Sequence, residues 1–172
     1  YDGLDKVGHI HGSGRFCDAE ITFVDYLIGQ IYEMLPRGAA LIVTSDHGMV
    51  DVGDSLIEID NSLVQRTDTI SGEARFLWFH PLRGNHDSLL QDLEDLYSDC
   101  AWVRTKEQIL DEGWFGRQIS NQTKERLGEI ALLARDPVAF VDKDNLGPKL
   151  VGRHGSLTET EVYVPLITSL KD

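Results

Sequence analysis

Apolar positions along this chain change period several times, and each change marks an element. From Asp18 to Leu35, the residues Ile21, Val24, Tyr26, Leu27, Ile28, Ile31, Met34 and Leu35 recur near the 3.6-residue period, and Pro36-Arg37-Gly38 ends the pattern. That stretch predicts a helix. The apolar and β-branched run that follows, Ala40 to Ser45, is bounded by turn residues and predicts a buried strand of a parallel sheet. A helix and a strand joined by so few residues form half of a doubly wound unit.

Downstream the pattern is shorter-ranged. Phe76-Leu77-Trp78-Phe79 predicts a strand stopped by His80-Pro81, and leucines at 89, 90, 93 and 96 predict an amphipathic helix from His86 to Tyr97. Ala101-Trp102-Val103 suits a short strand, and Lys106 to Leu110 one or two helical turns. Together these predict a small β-α-β insert, within a region running from about 58 to 135. Ile130 to Ala134 and Val138 to Val141 read as a hairpin or two adjacent strands around Arg135-Asp136-Pro137. Val162 to Ile167 suits a final strand, with Pro165 marking an edge or a strand start. The fold class expected is therefore α/β, a mostly parallel doubly wound sheet flanked by helices, with a small α+β insert.

Composition adds limits. The chain has 172 residues, 41% hydrophobic and 26% charged, enough for one ordinary domain with a core. No apolar run approaches the ~20 residues of a membrane span. The chain opens on Tyr1-Asp2-Gly3 without an initiator Met, so it is expected to be a piece of a longer protein. A formal net charge of -13 disfavours a role coating nucleic acid. Cys17 and Cys100 have no CxxC spacing and suit small, partly buried hydrophobes better than a disulfide framework.

The chemistry sits in three pieces. Asp5-x-x-x-His9 lies among Gly3, Gly8 and Gly12, which argue for a loop although the i,i+4 spacing would share one helix face. Asp46-His47-Gly48 follows directly on the strand from Ala40, where open α/β sheets place ligands. His154 is framed by Gly152-Arg153 and Gly155. Carboxylate with neutral imidazole is a zinc donor set, with manganese or iron as alternatives. Asp5, His9 and His154 would form a three-ligand site with an open position, the mark of a catalytic ion. Asp46 and His47 supply only two ligands, an incomplete set.

These pieces, in this order, resemble the alkaline-phosphatase superfamily and, within it, the type I phosphodiesterase/nucleotide pyrophosphatase family. The family's Asp-x-x-Gly-His element matches Asp5-Lys6-Val7-Gly8-His9, and its Ser-Asp-His-Gly-Met element matches Ser45 to Met49 without a gap. Its His-Gly element matches His154-Gly155, ahead of Val164-Pro165-Leu166. The resemblance implies two zinc ions bridging a phosphate, one on Asp5, His9 and His154, the other on Asp46 and His47. It also implies an upstream Asp ligand and an upstream Thr or Ser nucleophile, so residues 1–172 read as the C-terminal portion of a catalytic domain, incomplete at the N-terminus and inactive alone. The substrate implied is a small phosphodiester or a nucleotide. A phosphonate, sulfate or phosphomonoester hydrolase of the superfamily is the nearer alternative, and a non-catalytic metal-binding module the more distant one.

Tyr1, near the position of a family aromatic beside the substrate, and Lys6, beside the ligands, are the candidate substrate contacts. Surface charge is the competing reading for Lys6 and Arg153. His11 suits a loop-stabilising role, His80 and His86 capping or solvent-facing ones, and Trp78, Trp102 and Trp114 a core. A sheet lacking its early strands would expose an unpaired edge, which predicts dimerisation.

Overall fold

The structure, a computed structural model, describes residues 2–116, 118–142, 147 and 149–172. In chain order the elements are α1 (Asp2–His11), α2 (Arg15–Met34), β1 (Ala40–Thr44), β2 (Val50–Asp51), β3 (Leu56–Glu58), α3 (Asn61–Val64), β4 (Thr67–Glu73) and β5 (Phe76–Pro81). They continue with α4 (His86–Tyr97), β6 (Ala101–Thr105), α5 (Lys106–Asp111), α6 (Asn121–Arg126), β7 (Ile130–Ala134), β8 (Ala139–Val141), β9 (Gly152–Arg153), α7 (Glu159–Val162) and β10 (Leu166–Leu170). The chain divides into two compact units. Unit 1 comprises Tyr1–Asp54, Pro148–His154 and Thr158–Asp172, and unit 2 comprises Ser55–Gly147 and Gly155–Leu157.

In unit 1 the predicted helix runs from Arg15 to Met34, starting three residues earlier than its apolar period suggested. Its half-buried positions include Cys17, Val24, Ile28 and Tyr32, a stripe along one face. Tyr32 closes that face by donating its hydroxyl proton to the Leu170 carbonyl at 2.9 Å. Phe16, Ile21, Phe23, Leu27 and Ile31 form a second apolar stripe that remains exposed, and no residue of α2 is fully buried. β1 pairs with β10 in antiparallel register, Ala40 opposite Leu170 through Thr44 opposite Leu166. Ile42 lies on the sheet face shared by Leu166 and Leu170, and all three are exposed. The buried strand expected over Ala40 to Ser45 is thus covered on one face only.

Two further expectations for unit 1 are corrected. The segment holding Asp5 and His9 is the helix α1, not a loop. Gly8 sits inside it at a point where an added Cβ would approach the Met49 sulfur to 2.7 Å, so close packing rather than a turn accounts for that glycine. The predicted strand over Val162 to Ile167 begins later, after Pro165, because α7 occupies the preceding residues through Val162.

Unit 2 holds the apolar core. Its four-stranded sheet has the order β4-β5-β7-β6, with every pairing antiparallel. Since β5 and β6 both run antiparallel to β7, they are parallel to each other, joined by α4 between them in sequence. The predicted β-α-β insert is therefore present with one strand interposed. All five residues of β7 are buried, in two sets that alternate with the pleat. Ile130, Leu132 and Ala134 join Phe79, Leu89, Leu93 and Phe140 in the main cluster. Ala131 and Leu133 join Ile109, with Phe76, Trp78, Trp102 and Trp114 packed around them. Each fully buried Leu or Phe contributes ~1.5–3 kcal/mol relative to exposure.

The two strands expected from Ile130 to Val141 form, but neither as a hairpin nor as adjacent strands of one sheet. β7 pairs with β5 and β6, whereas β8 pairs in parallel with β3. The turning device is Arg75, whose fully buried guanidinium donates to the carbonyls of Asp136 at 2.9 Å and Val138 at 2.6 Å. Ala134 also accepts from Arg75, and from the Ser156 hydroxyl at 2.6 Å. The α/β class holds, but among the described residues β3–β8 is the parallel pair and the other pairings are antiparallel. A short apolar run does not encode strand direction, which is why the mostly parallel reading failed in this detail. No described helix is long and apolar enough to cross a membrane.

Candidate metal centre

Three segments of unit 1 carry the chemical residues. The helical form of α1 places Asp5 and His9 one turn apart on one face, with the His9 Nε2 atom 3.4 Å from the Asp5 Oδ1 atom. Asp46 and His47 follow β1 in a turn, and His154 follows β9. One ligand atom each from Asp5, His9 and His154 lies within 4.8 Å of the other two. His47 Nε2 stands 3.7 Å from Asp5 Oδ1 and 3.8 Å from Asp46 Oδ2. The rings of His47 and His154 stack at 3.5 Å with 13° between planes, and those of His9 and His154 are 5.2 Å apart. The five residues singled out in the sequence therefore converge within one unit.

The protons can be assigned from the hydrogen bonds. His9 Nδ1 lies 2.8 Å from the Gly152 carbonyl oxygen, and His47 Nδ1 lies 2.8 Å from the Gly48 carbonyl oxygen. A carbonyl only accepts, so each Nδ1 carries the proton and donates it. In the neutral tautomer each Nε2 then presents a lone pair. The two Nε2 atoms lie 3.4 and 3.7 Å from Asp5 Oδ1, a buried atom with no hydrogen-bond partner among the described residues. Three electron-rich atoms facing one another repel unless a cation lies between them. The donor set and this orphaned oxygen fit a divalent ion, and backbone carbonyls behind the imidazoles are the usual means of orienting such ligands.

Asp46 is the most open of the five, with its side chain 87% exposed. Its carboxyl is held below the usual carboxylate range by a hydrogen bond from its own backbone amide and then by neighbouring His47. The turn that carries it is tightly fixed. Gly48 donates its N–H to the Glu161 carbonyl at 2.8 Å, and a Cβ on Gly48 would stand 1.9 Å from the Thr160 carbonyl oxygen. The Ser45 hydroxyl donates to the His47 carbonyl at 2.8 Å. A cavity of about 490 Å³ opens beside Asp5, Asp46 and His47, with Leu4, Ile21 and Met49 on its apolar side. That is within the size range of small-molecule sites.

Residues 1–157 match the family described as type I phosphodiesterase / nucleotide pyrophosphatase. The chain belongs to this family. Among solved structures, murine ectonucleotide pyrophosphatase / phosphodiesterase 5 superposes with a TM-score of 0.75 at 22% identity, covering 94% of this chain and 44% of that one. Phosphonoacetate hydrolase from Sinorhizobium meliloti 1021, in complex with phosphonoformate, gives a TM-score of 0.69 at 19% identity, covering 95% of this chain and 43% of that one. Both likenesses concern the fold alone. The chain spans less than half the length of these solved relatives. A 55-residue stretch is 40% identical to GPI ethanolamine phosphate transferase 2 of Kluyveromyces lactis, covering 31% of this chain and 7% of that protein.

Within this phosphodiesterase family chain the remaining candidates fall elsewhere. Lys6 is committed to Asp2, with Nζ 2.7 Å from Oδ2 and its side chain 67% exposed. The hydrogen bond to Asp2 raises the Lys6 ammonium above its ordinary value, so it stays charged. Tyr1 lies outside the described residues. His11 rests against the Phe16 ring at 4.6 Å, His80 Nε2 lies 3.2 Å from the Ser71 hydroxyl, and His86 pairs with Asp87 at 2.9 Å. Arg153 belongs to β9, opposite Val50 of β2. Sequence reasoning missed the carbonyls of Gly152 and Gly48, since any residue supplies a carbonyl and composition carries no trace of its direction. It also missed the clip in which the Ser13 backbone N–H donates to both oxygens of Asp51, at 2.9 and 3.0 Å.

Proposed function

We propose that this chain carries the metal-binding portion of a phosphodiesterase or nucleotide pyrophosphatase that uses two divalent ions, zinc being the best match to its donors. The observation that carries the reading is Asp5 Oδ1, buried without a hydrogen bond among the described residues and within 4 Å of the Nε2 atoms of both His9 and His47. Asp5, His9 and His154 would hold one ion, and Asp46 and His47 would contribute to the other. When bound, such ions supply Lewis-acid stabilisation of charge on the phosphoryl and leaving oxygens. Asp5 and Asp46 balance the dications, while His9 and His47 aim neutral nitrogens from rings anchored at Nδ1. The Asp46 carboxyl, held below its ordinary range, stays ionised and available. The cavity bordered by Asp5, Asp46 and His47 would admit a small phosphodiester or nucleotide. The reading also calls for a Thr or Ser nucleophile and a further Asp ligand, as the family resemblance implies.

The likeness to phosphonoacetate hydrolase supports a second reading, a phosphonate hydrolase with the same donors. Rates of hydrolysis of bis(p-nitrophenyl) phosphate and of phosphonoacetate separate the two readings. The metal reading is tested on this chain by native mass spectrometry after chelation and reloading, with His154→Ala alongside. About one tightly held zinc, lost in the variant, is expected. Equal uptake by both forms would sink the assignment of His154.

A further inference from the structure

The three ligand-bearing segments of unit 1 meet around one side chain, that of Met49. A Cβ built on Gly8 of α1 would stand 2.7 Å from the Met49 sulfur, and one built on Gly152 of β9 would stand 2.5 Å from the same atom. The Gly152 position would also stand 2.4 Å from the Gly8 carbonyl oxygen. The sulfur thus lies against two glycines, and at Gly152 a side chain would also strike the Gly8 backbone. Met49 itself directly follows the Asp46-His47-Gly48 turn and directly precedes β2, whose Asp51 pairs with Gly152. His9 is the next residue after Gly8, and its carbonyl accepts from Val151 N at 2.8 Å while its Nδ1 donates to the Gly152 carbonyl. The thioether thus lies against both α1 and β9 where these bonds join them.

We infer that Met49 is a positioning residue: its unbranched side chain sets the spacing between α1 and β9 at which His9 is locked in its Nδ1–H tautomer and Asp5, His9 and His154 converge. The inference rests on the metal reading for its consequence, though not for its geometry. A flexible, unbranched thioether can thread between two close backbones, whereas a β- or γ-branched side chain adds atoms where none fit. Truncation leaves the opposite fault, a void that the two segments close by shifting. Either way the bond from His9 Nδ1 to Gly152 is lost, and changes to groups that orient metal ligands typically lower affinity by 10–100-fold.

The test uses the whole chain with two readouts, zinc affinity by chelator competition and the His9 tautomer from proton–nitrogen spectra of the metal-free, histidine-labelled protein. Met49→Ala and Met49→Ile should lose the Nδ1–H signature and bind zinc at least about tenfold more weakly. Replacing both methionines by norleucine keeps the unbranched shape and should retain both properties. Met34 is 84% exposed, so that replacement reports on Met49. Wild-type tautomer and affinity in Met49→Ala would overturn the inference, as would their loss with norleucine. If the parent chain binds no zinc yet the tautomer follows this pattern, the positioning role stands and the metal reading fails.

Discussion

Unit 1 and unit 2 are built on opposite economies. Unit 2 buries most of the large apolar side chains that are fully enclosed, among them Phe79, Phe140, Leu89, Leu93 and Leu132, and among the described residues it holds no group of three metal-type donors. Unit 1 holds that group, yet among the described residues Val52 is the one buried hydrophobic residue there. Its order comes from close backbone approaches at Gly8, Gly48 and Gly152 and from hydrogen bonds such as the one from His9 to Gly152. The contrast teaches that stability and site geometry are set by different residues. Core residues of unit 2 should govern the former and backbone contacts of unit 1 the latter.

The sharpest way to break this division is Phe79→Ala. Removing a fully buried aromatic side chain from the unit 2 core should cost ~3–5 kcal/mol, read as a lowered urea midpoint with zinc uptake of the still-folded chain unchanged. A loss of zinc binding under native conditions would mean the units do not separate in this way. Next in size is self-association. Ile42, Leu166 and Leu170 share an exposed face, and β1 and β10 each pair on one side alone among the described residues. We predict a dimer in sedimentation velocity, weakened about tenfold or more by Ile42→Ser with Leu166→Ser, since each buried aliphatic contributes ~1.5–3 kcal/mol. A parent chain that sediments as a monomer at high concentration would refute it. The smallest effect is expected at the capping box of α5, where the Thr105 hydroxyl accepts from Gln108 N and the Gln108 side chain accepts from Thr105 N. Thr105→Ala should cost ~1 kcal/mol in unit 2 and leave zinc uptake by the proposed site unchanged.

How much of this was legible beforehand varied with the kind of signal. The helix from His86 to Tyr97 was read to its boundaries, because its leucines repeat at helical spacing and face a core. The strand from Ala40 was read nearly as well. The converging set of Asp5, His9, Asp46, His47 and His154 was legible through motif order, since short donor motifs keep their identity whatever the backbone does around them. The helical form of α1 was not legible, because Gly3, Gly8 and Gly12 signal flexibility. Gly3 and Gly8 both lie inside the helix, and Gly8 packs against Met49 there. Strand β4, with the polar sequence Thr67 to Glu73, carries no apolar alternation and was invisible for that reason. The fate of β8 depended on Arg75, some sixty residues away in sequence, and no local pattern reports a contact of that range.

The parallel pairing of β3 with β8 has a consequence in time. The chain leaves unit 1 after Asp54, runs through unit 2, and returns to supply His154. An unfolded excursion of that length makes the meeting of His154 with Asp5 and His9 entropically costly, since loop closure penalises each doubling by ~0.6 kcal/mol. Once β3 and β8 pair, with the Ser55 carbonyl accepting from Ala139 N, most of the excursion is already closed. Refolding should therefore proceed in a set order. Fluorescence from Trp78, Trp102 and Trp114, all within unit 2, should recover before the chain regains its capacity to take up zinc. Stopped-flow traces in which zinc capture precedes or coincides with that recovery would show that the site can close its loop unaided.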